Sequence, residues 1–240
     1  RNKDSTYYSD GMIIKYNATG EVEWAKGIEG TDNEIINSVA DTNDGGYIVG
    51  GYFRSSRIDL GNGISLTNKG SENGMIIKYN ATREVEWAEG IGGTSHDYIT
   101  SVAETSDGGY IVGGYFKSSS IDLENGKSLT NKGSEDGMII KYNAAGEVEW
   151  ATGIGGTNSD YINSVAECSD GGYIVGGQFT SSSIDLGNEI SLANNGSRDG
   201  MVIKYGSSGE VEWAKRIGGT DYDDINSVAA TNDGGYIAGG

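Results

Sequence analysis

Short apolar runs alternate along the whole chain with clusters of Gly, Asn and Asp. Residues 36–40 read Ile-Asn-Ser-Val-Ala and residues 47–53 read Tyr-Ile-Val-Gly-Gly-Tyr-Phe, joined through Thr42-Asn43-Asp44-Gly45-Gly46. After a longer polar loop come residues 75–79 and then 84–88, the run that carries a tryptophan. β-Branched and aromatic content, short length and turn-forming punctuation predict strands rather than helices. The longer loop, for example Ser118-Ser-Ser-Ile-Asp-Leu-Glu-Asn-Gly-Lys-Ser-Leu, also alternates, which predicts a small additional hairpin covering the edge of each unit.

The pattern is periodic. Tryptophans stand at Trp24, Trp87, Trp150 and Trp213, each 63 residues after the last. Gly-Met pairs at Gly11, Gly74, Gly137 and Gly200 keep the same step, as do Asp-Gly-Gly-Tyr turns at Asp44, Asp107, Asp170 and Asp233. Residues 73–135 and 136–198 align without a gap at 47 identical positions of 63. Tandem units of four short strands predict an all-β β-propeller of four-stranded antiparallel blades. The expected blades are residues 35–90, 98–153 and 161–216 of one domain over 1–240, with a fourth made from 224–240 and 10–27. Joining the two end strand pairs would close a four-bladed ring in one chain as a monomer; a ring-sharing dimer is the alternative.

Turn chemistry sets a register. Ala18-Thr19-Gly20 as a three-residue hairpin loop with left-handed Gly20 opposes Tyr16 to Val22, Lys15 to Glu23 and Ile14 to Trp24. Gly146 and Gly209 share that slot, but the second repeat has Arg83, which is expected to strain the turn.

Composition narrows the function. Acidic residues outnumber basic ones 35 to 17, giving a formal charge of −18. Such a chain repels phosphate backbones, so no nucleic acid is expected as a partner. No apolar run is long enough for a membrane-spanning helix. With 0 Pro and no three-residue glycine period, the 41 Gly are not collagenous. Cys168 is the single cysteine, so no internal disulfide is expected. Arg1 in place of an initiator Met leads us to expect a processed or excised segment.

The run Asp136-Gly-Met-Ile-Ile-Lys-Tyr-Asn, then Gly146-Glu-Val-Glu-Trp-Ala, Gly155-Gly-Thr, Asp160, Ser164-Val-Ala, Ser169-Asp-Gly-Gly-Tyr-Ile-Val-Gly-Gly and Ile184-Asp-Leu-Gly resembles the bacterial β-propeller repeat family called SBBP. Kelch blades are a looser likeness, through the Gly-Gly step and the later Tyr and Trp. The SBBP resemblance covers nearly the whole chain. It implies a scaffold outside the cytoplasm, extracellular or on the bacterial cell surface, with no shared catalytic residues.

The repeats carry several groups with candidate chemistry. Glu21/Glu23, Glu84/Glu86, Glu147/Glu149 and Glu210/Glu212 have the spacing of glycosidase carboxylates, but sit where edge charges block association and where Lys15, Lys78, Lys141 and Lys204 can neutralise one Glu of each pair. Four near-copies also lack the asymmetry that splits two pKa values. His96 and Cys168 are unique and stand at variable turn positions, so neither is read as catalytic. The Asp-Gly-Gly turns fall one residue short of an EF-type calcium loop. No enzyme is expected, a glycan-active hydrolase being the alternative, and no cofactor, with Ca²⁺ as the one possible metal. The connections between units carry the expected ligand site, Asp97, Tyr98, Asp160, Tyr161, Tyr222 and Asp223, whose side chains suit a carbohydrate or protein ligand. A second expected site is a polar ring in the channel from Asn37, Thr100, Asn163 and Asn226. The function expected is an adhesion or interaction scaffold, with a structural spacer or fragment of a larger array as the alternative.

Overall fold

The computed structural model describes residues 8–240; Arg1 lies outside them. The chain is all-β, its units arranged as propeller blades. A first half-blade holds β1 (Gly11–Tyr16) and β2 (Val22–Ile28). The first full blade holds β3 (Glu34–Asp41), β4 (Tyr47–Phe53), the ribbon β5 (Arg57–Gly61) and β6 (Ile64–Thr67), then β7 (Asn73–Tyr79) and β8 (Val85–Ile91). The second repeats this as β9 (Asp97–Glu104), β10 (Tyr110–Phe116), β11 (Ser120–Asp122), β12 (Ser128–Thr130), β13 (Asp136–Tyr142) and β14 (Val148–Ile154). The third follows as β15 (Asp160–Glu167), β16 (Tyr173–Phe179), β17 (Ser183–Asp185), β18 (Ser191–Ala193), β19 (Asp199–Tyr205) and β20 (Val211–Ile217). A last half-blade holds β21 (Ser227–Ala230) and β22 (Tyr236–Gly239).

Each full blade is a four-stranded antiparallel meander, β3-β4-β7-β8, β9-β10-β13-β14 and β15-β16-β19-β20. The ribbons β5–β6, β11–β12 and β17–β18 are separate two-stranded sheets that pack along the outermost strands β8, β14 and β20. Ile58, Ile121 and Ile184 on one strand of each ribbon, and Leu66, Leu129 and Leu192 on the other, are buried in the core clusters.

The two ends do not complete a closing blade. Among the described residues β1–β2 and β21–β22 remain separate two-stranded sheets and form no ladder with each other. Met12 is accordingly 64% exposed and Ile237 63%, whereas Met75, Met138, Ile48 and Ile111 are all at 0%.

The hairpin register also differs from the sequence expectation by one residue. Tyr16 opposes Val22, but Lys15 opposes Trp24 and Ile14 opposes Ala25. A β-bulge makes Glu23 the extra residue, and the same bulge recurs at Glu86, Glu149 and Glu212. The loop itself is as expected, with Gly20 at φ +82° and Arg83 held in the same left-handed conformation at φ 69°. Gly146 sits on the face of Trp87 and Gly209 on Trp150, tryptophans that stack on Tyr142 and Tyr205. Where Arg83 replaces glycine, Lys26 instead lies 4.5 Å over the Tyr79 ring.

Blades meet through glycine. Strand two of every full blade contains Gly-Gly, and the two glycines answer different constraints. A Cβ on Gly50, Gly113 or Gly176 would lie 2.5–2.7 Å from a valine methyl of the next blade, Val102, Val165 or Val228. A Cβ on Gly51, Gly114 or Gly177 would lie 2.0 Å from the carbonyl oxygen of Ile35, Tyr98 or Tyr161 in the blade's own first strand. That strand bulges here, leaving Asn37, Thr100 and Asn163 as its extra residues. The bulge turns each side chain toward the neighbouring blade. Asn37 Nδ2 donates to the Ile99 carbonyl at 2.8 Å, Thr100 Oγ1 to Ile162 at 2.7 Å and Asn163 Nδ2 to Ile225 at 2.8 Å. The next residues, Ser38, Ser101 and Ser164, accept from the Val102, Val165 and Val228 amides at 3.1–3.2 Å.

Gly113→Ala is predicted to destabilise the fold by about 1–3 kcal/mol, since Val165 or Ile162 must move. Gly219→Ala, whose Cβ would meet nothing within 4 Å, should stay within about 0.5 kcal/mol. Denaturant melts of the two variants check this.

Candidate functional site

The connections from each outer strand to the next inner strand emerge on one face of the arc, together with the loops that lead into the ribbons. Asp97 and Asp160 begin β9 and β15 there, and both are fully buried. Asp97 Oδ1 accepts the Lys117 and Ser118 amides at 3.1 Å, while Oδ2 accepts Ser118 Oγ at 2.6 Å and the Gly93 amide at 2.9 Å. Asp160 repeats this set with Thr180, Ser181 and Gly156. These carboxylates tie three chain segments together inside the blade, so they anchor the face instead of meeting a ligand. Glu34 takes the same position in the first blade.

The tyrosines beside these anchors remain accessible. Tyr98 and Tyr161 are half-buried and belong to a row that also includes Tyr52 of β4 and Tyr115 of β10. Ring centroids are 4.7 Å apart for Tyr52–Tyr98, 4.9 Å for Tyr98–Tyr115 and 4.6 Å for Tyr115–Tyr161, the outer two pairs edge-on. The row crosses two blade junctions. Edge-on and tilted contacts of this kind hold phenol rings rigidly. Two carboxylates fix the hydroxyls: Tyr98 donates to Glu72 and Tyr161 to Glu135. His96 Nδ1 also meets Glu72, at 2.8 Å. Partial burial opposes charge on Glu72, but the Tyr98 and His96 hydrogen bonds outweigh it and hold the carboxyl below its usual range. Burial pushes Tyr115 up to about 12, so its hydroxyl is a neutral donor at physiological pH.

The row ends at the third junction. Gln178 replaces the strand-two tyrosine, and Arg198 and Asp224 stand where Glu and Tyr stood. Arg198 grips Asp224 at 2.6 and 2.7 Å, so an ion pair substitutes for the phenol–carboxylate bond. Tyr222 is 71% exposed, with the Arg198 guanidinium 5.1 Å from its ring centre. Asp223 is half-buried and accepts the Gly219 amide at 2.8 Å.

The other expected sites resolve differently. Asn37, Thr100 and Asn163 are committed to the inter-blade bonds described above, while Asn226 is exposed and bonds through its backbone N–H to Gly239. In the Asp-Gly-Gly turn, Asp44 accepts from Lys78 Nζ at 2.7 Å, from Thr42 Oγ1 and from the Gly46 amide. Lys78, with Thr42, holds that carboxyl down to about 2. Lys78, Lys141 and Lys204 are 1% exposed and also reach Glu86, Glu149 and Glu212 at 3.0, 3.2 and 3.4 Å. Exposed Lys15 reaches Glu23 at 3.3 Å. The other glutamate of each pair turns to the hairpin, where Glu21, Glu84 and Glu147 bond Asn17, Asn80 and Asn143. Cys168 is buried, and burial raises its thiol to about 11. Gly92–Thr94 of the loop that leads into β9, with Lys69, Ser119, Ser120 and Asp122, line a cleft of about 240 Å³ between the first and second blades.

Sequence reasoning did not single out Tyr52, Tyr115, Glu72 or Glu135. The signal was present in Gly-Gly-Tyr-Phe: if Phe is the core residue of that alternating strand, its Tyr faces away from the core, toward the neighbouring unit.

The blades define the class: the chain is a β-propeller repeat protein. No family model matches it. It is 26% identical over 140 residues to an uncharacterized WD repeat-containing protein of Acanthamoeba polyphaga mimivirus, covering 54% of this chain and 10% of that protein. It is 28% identical over 111 residues to the regulatory protein FlaEY of Caulobacter vibrioides, covering 45% and 12%. The chain thus spans about a tenth of the length of these curated relatives. Among solved structures it aligns with a protein of unknown function from Bacteroides caccae at 12% identity and TM-score 0.46, over 95% of this chain and 64% of that one. It also aligns with BamB from Moraxella catarrhalis at 8% identity and TM-score 0.19, over 94% and 87%.

Asp97→Ala is predicted to lower stability by about 3 kcal/mol or more, since it orphans buried and half-buried donors from Asn73, Gly93, Lys117 and Ser118. Chemical denaturation measures this; a variant as stable as the parent would remove Asp97 from the role of anchor.

Proposed function

We propose that this chain is a non-enzymatic interaction scaffold whose binding platform is the tyrosine row Tyr52, Tyr98, Tyr115 and Tyr161. The contiguity of four half-buried phenol rings across two rigid junctions carries the reading. Tyrosine offers a large amphipathic contact area with little side-chain freedom to lose. Glu72 and Glu135 sit beside the rings as acceptors, and the cleft between the first and second blades adds hydroxyl and backbone groups. Rings flanked by carboxylates suit stacking on sugar faces with hydrogen bonds to hydroxyls, and suit a polar protein surface equally well. The resemblance to SBBP repeats supports placement outside a bacterial cell. The glutamate pairs support the non-enzymatic reading, since each carboxylate is committed to a lysine or to a hairpin amide or hydroxyl.

A glycan array, with a bacterial surface-protein panel beside it, tests the proposal. Ligands captured by the wild-type chain should bind at least about tenfold more weakly to Tyr98→Ala and Tyr115→Ala, a loss typical of anchor residues, while Tyr222→Ala binds normally. Unchanged binding by both row variants, or no ligand at all, would leave the structural-spacer reading in its place.

A further inference from the structure

One buried position, Asn73, Asp136 or Asp199, has different hydrogen-bonding or charge partners at each of three blade junctions. At the first, Asn73 accepts the Lys69 amide on Oδ1 at 2.6 Å and donates Nδ2 to the Gly93 carbonyl at 3.1 Å and to Asp97 Oδ2 at 3.4 Å. One repeat later the residue is Asp136, fully buried, whose Oδ2 accepts the Lys132 amide at 2.9 Å. Its Oδ1 therefore stands where the amide nitrogen stood. The glycines beside them show the coincidence: a Cβ on Gly92 would lie 2.3 Å from Asn73 Nδ2, and one on Gly155 2.3 Å from Asp136 Oδ1.

An acceptor has thus replaced a donor in a pocket built of acceptors. Among the described residues Asp136 Oδ1 has no hydrogen-bond partner. The neighbouring carboxylate, Asp160, accepts from Gly156, Thr180 and Ser181 and brings no proton of its own to Asp136, while its Oδ2 can still accept one more donor, as Asp97 Oδ2 does from Asn73. At the third junction the residue is again aspartate, Asp199, whose Oδ1 likewise lacks a hydrogen-bond partner among the described residues, but there Arg216 Nη1 lies 3.2 Å from its Oδ2 and offsets the carboxylate charge. Arg216 is peculiar to that repeat; Gly90 and Gly153 occupy its position in the other two. An amide serves the first junction and a guanidinium the third. The second has neither.

We propose that Oδ1 of Asp136 holds a proton in the folded chain and donates it toward Asp160 Oδ2 and the Gly156 carbonyl, as the Asn73 amide donates to Asp97 and Gly93. The contact between the second and third blades is then a proton-binding site. The charged groups facing Asp136 are Asp160 on β15 and Lys132 on the loop before β13. Burial and Asp160 raise the proton affinity of Asp136, and together they outweigh the Lys132 amide and ammonium. Because the folded chain then binds this proton more tightly than the unfolded one, the stabilisation is complete below the ordinary carboxylate range. It is lost as pH rises through the raised value.

Thermal melts of the parent chain and Asp136→Asn from pH 4.5 to 8.5, each with and without added calcium or chelator, test the proposal. The variant should melt above the parent at pH 8, by about 3–5 °C for each tenfold difference in proton affinity between folded and unfolded chain, and the gap should shrink toward acid pH regardless of calcium. Infrared difference spectra should show a protonated carboxyl band at pH 7 in the parent that Asp136→Asn lacks, and Asn73→Asp should add a second. A gap independent of pH, or a missing band, would overturn the proposal. A gap that follows calcium would overturn it too, by making the occupant a cation.

Discussion

The structure depends on how closely one sheet can approach the next. A blade is a small antiparallel meander with little core of its own, and most of its buried apolar surface faces a neighbour. Gly50, Gly113 and Gly176 permit that approach by presenting bare backbone to the Ile and Val side chains of the following first strand. Once the sheets are this near, the bulge residues Asn37, Thr100 and Asn163 reach a carbonyl of the next blade, and Ser38, Ser101 and Ser164 receive an amide from it. The tyrosine row follows from the same approach, since Tyr98 meets Tyr52 only because their blades are in contact.

Repetition makes the molecule its own comparison set. Where one repeat departs from the others, a partner nearby departs with it. Arg83 displaces a glycine, and Lys26 over Tyr79 takes the place of a tryptophan stack. Arg198 and Asp224 replace a glutamate and a tyrosine at matching positions. Asp199 comes with Arg216. Asp136 has no such companion, which is what marks it out.

Much of this was legible in the chain. Strand alternation and the 63-residue step showed the four-stranded antiparallel units, though not the separate strand pairs at the two ends, and the Asp-Gly-Gly and left-handed glycine turns formed where expected. What escaped were effects of single inserted residues. The Glu23 bulge shifts the hairpin register beyond Tyr16, because a sequence pattern of period two does not show where one residue has been left unpaired. The strand-one bulge likewise turned a supposed channel ring into inter-blade clamps. Asp97 and Asp160 read as solvent-facing loop acids because burial of a carboxylate depends on donors from distant segments, Lys117–Ser118 and Thr180–Ser181, that no local pattern reveals. Tyr52 and Tyr115 escaped for the opposite reason: the pattern assigned them a face, but not the neighbour across the junction.

Blades are held as one unit through their innermost strands. Native-state amide exchange tests this directly at Val102 and Val165, whose N–H groups bond across junctions to serine hydroxyls. The account predicts that both exchange only with global unfolding, at the same free energy as the amides within β10 and β16. Exchange of these amides at markedly lower free energy, blade by blade, would contradict it.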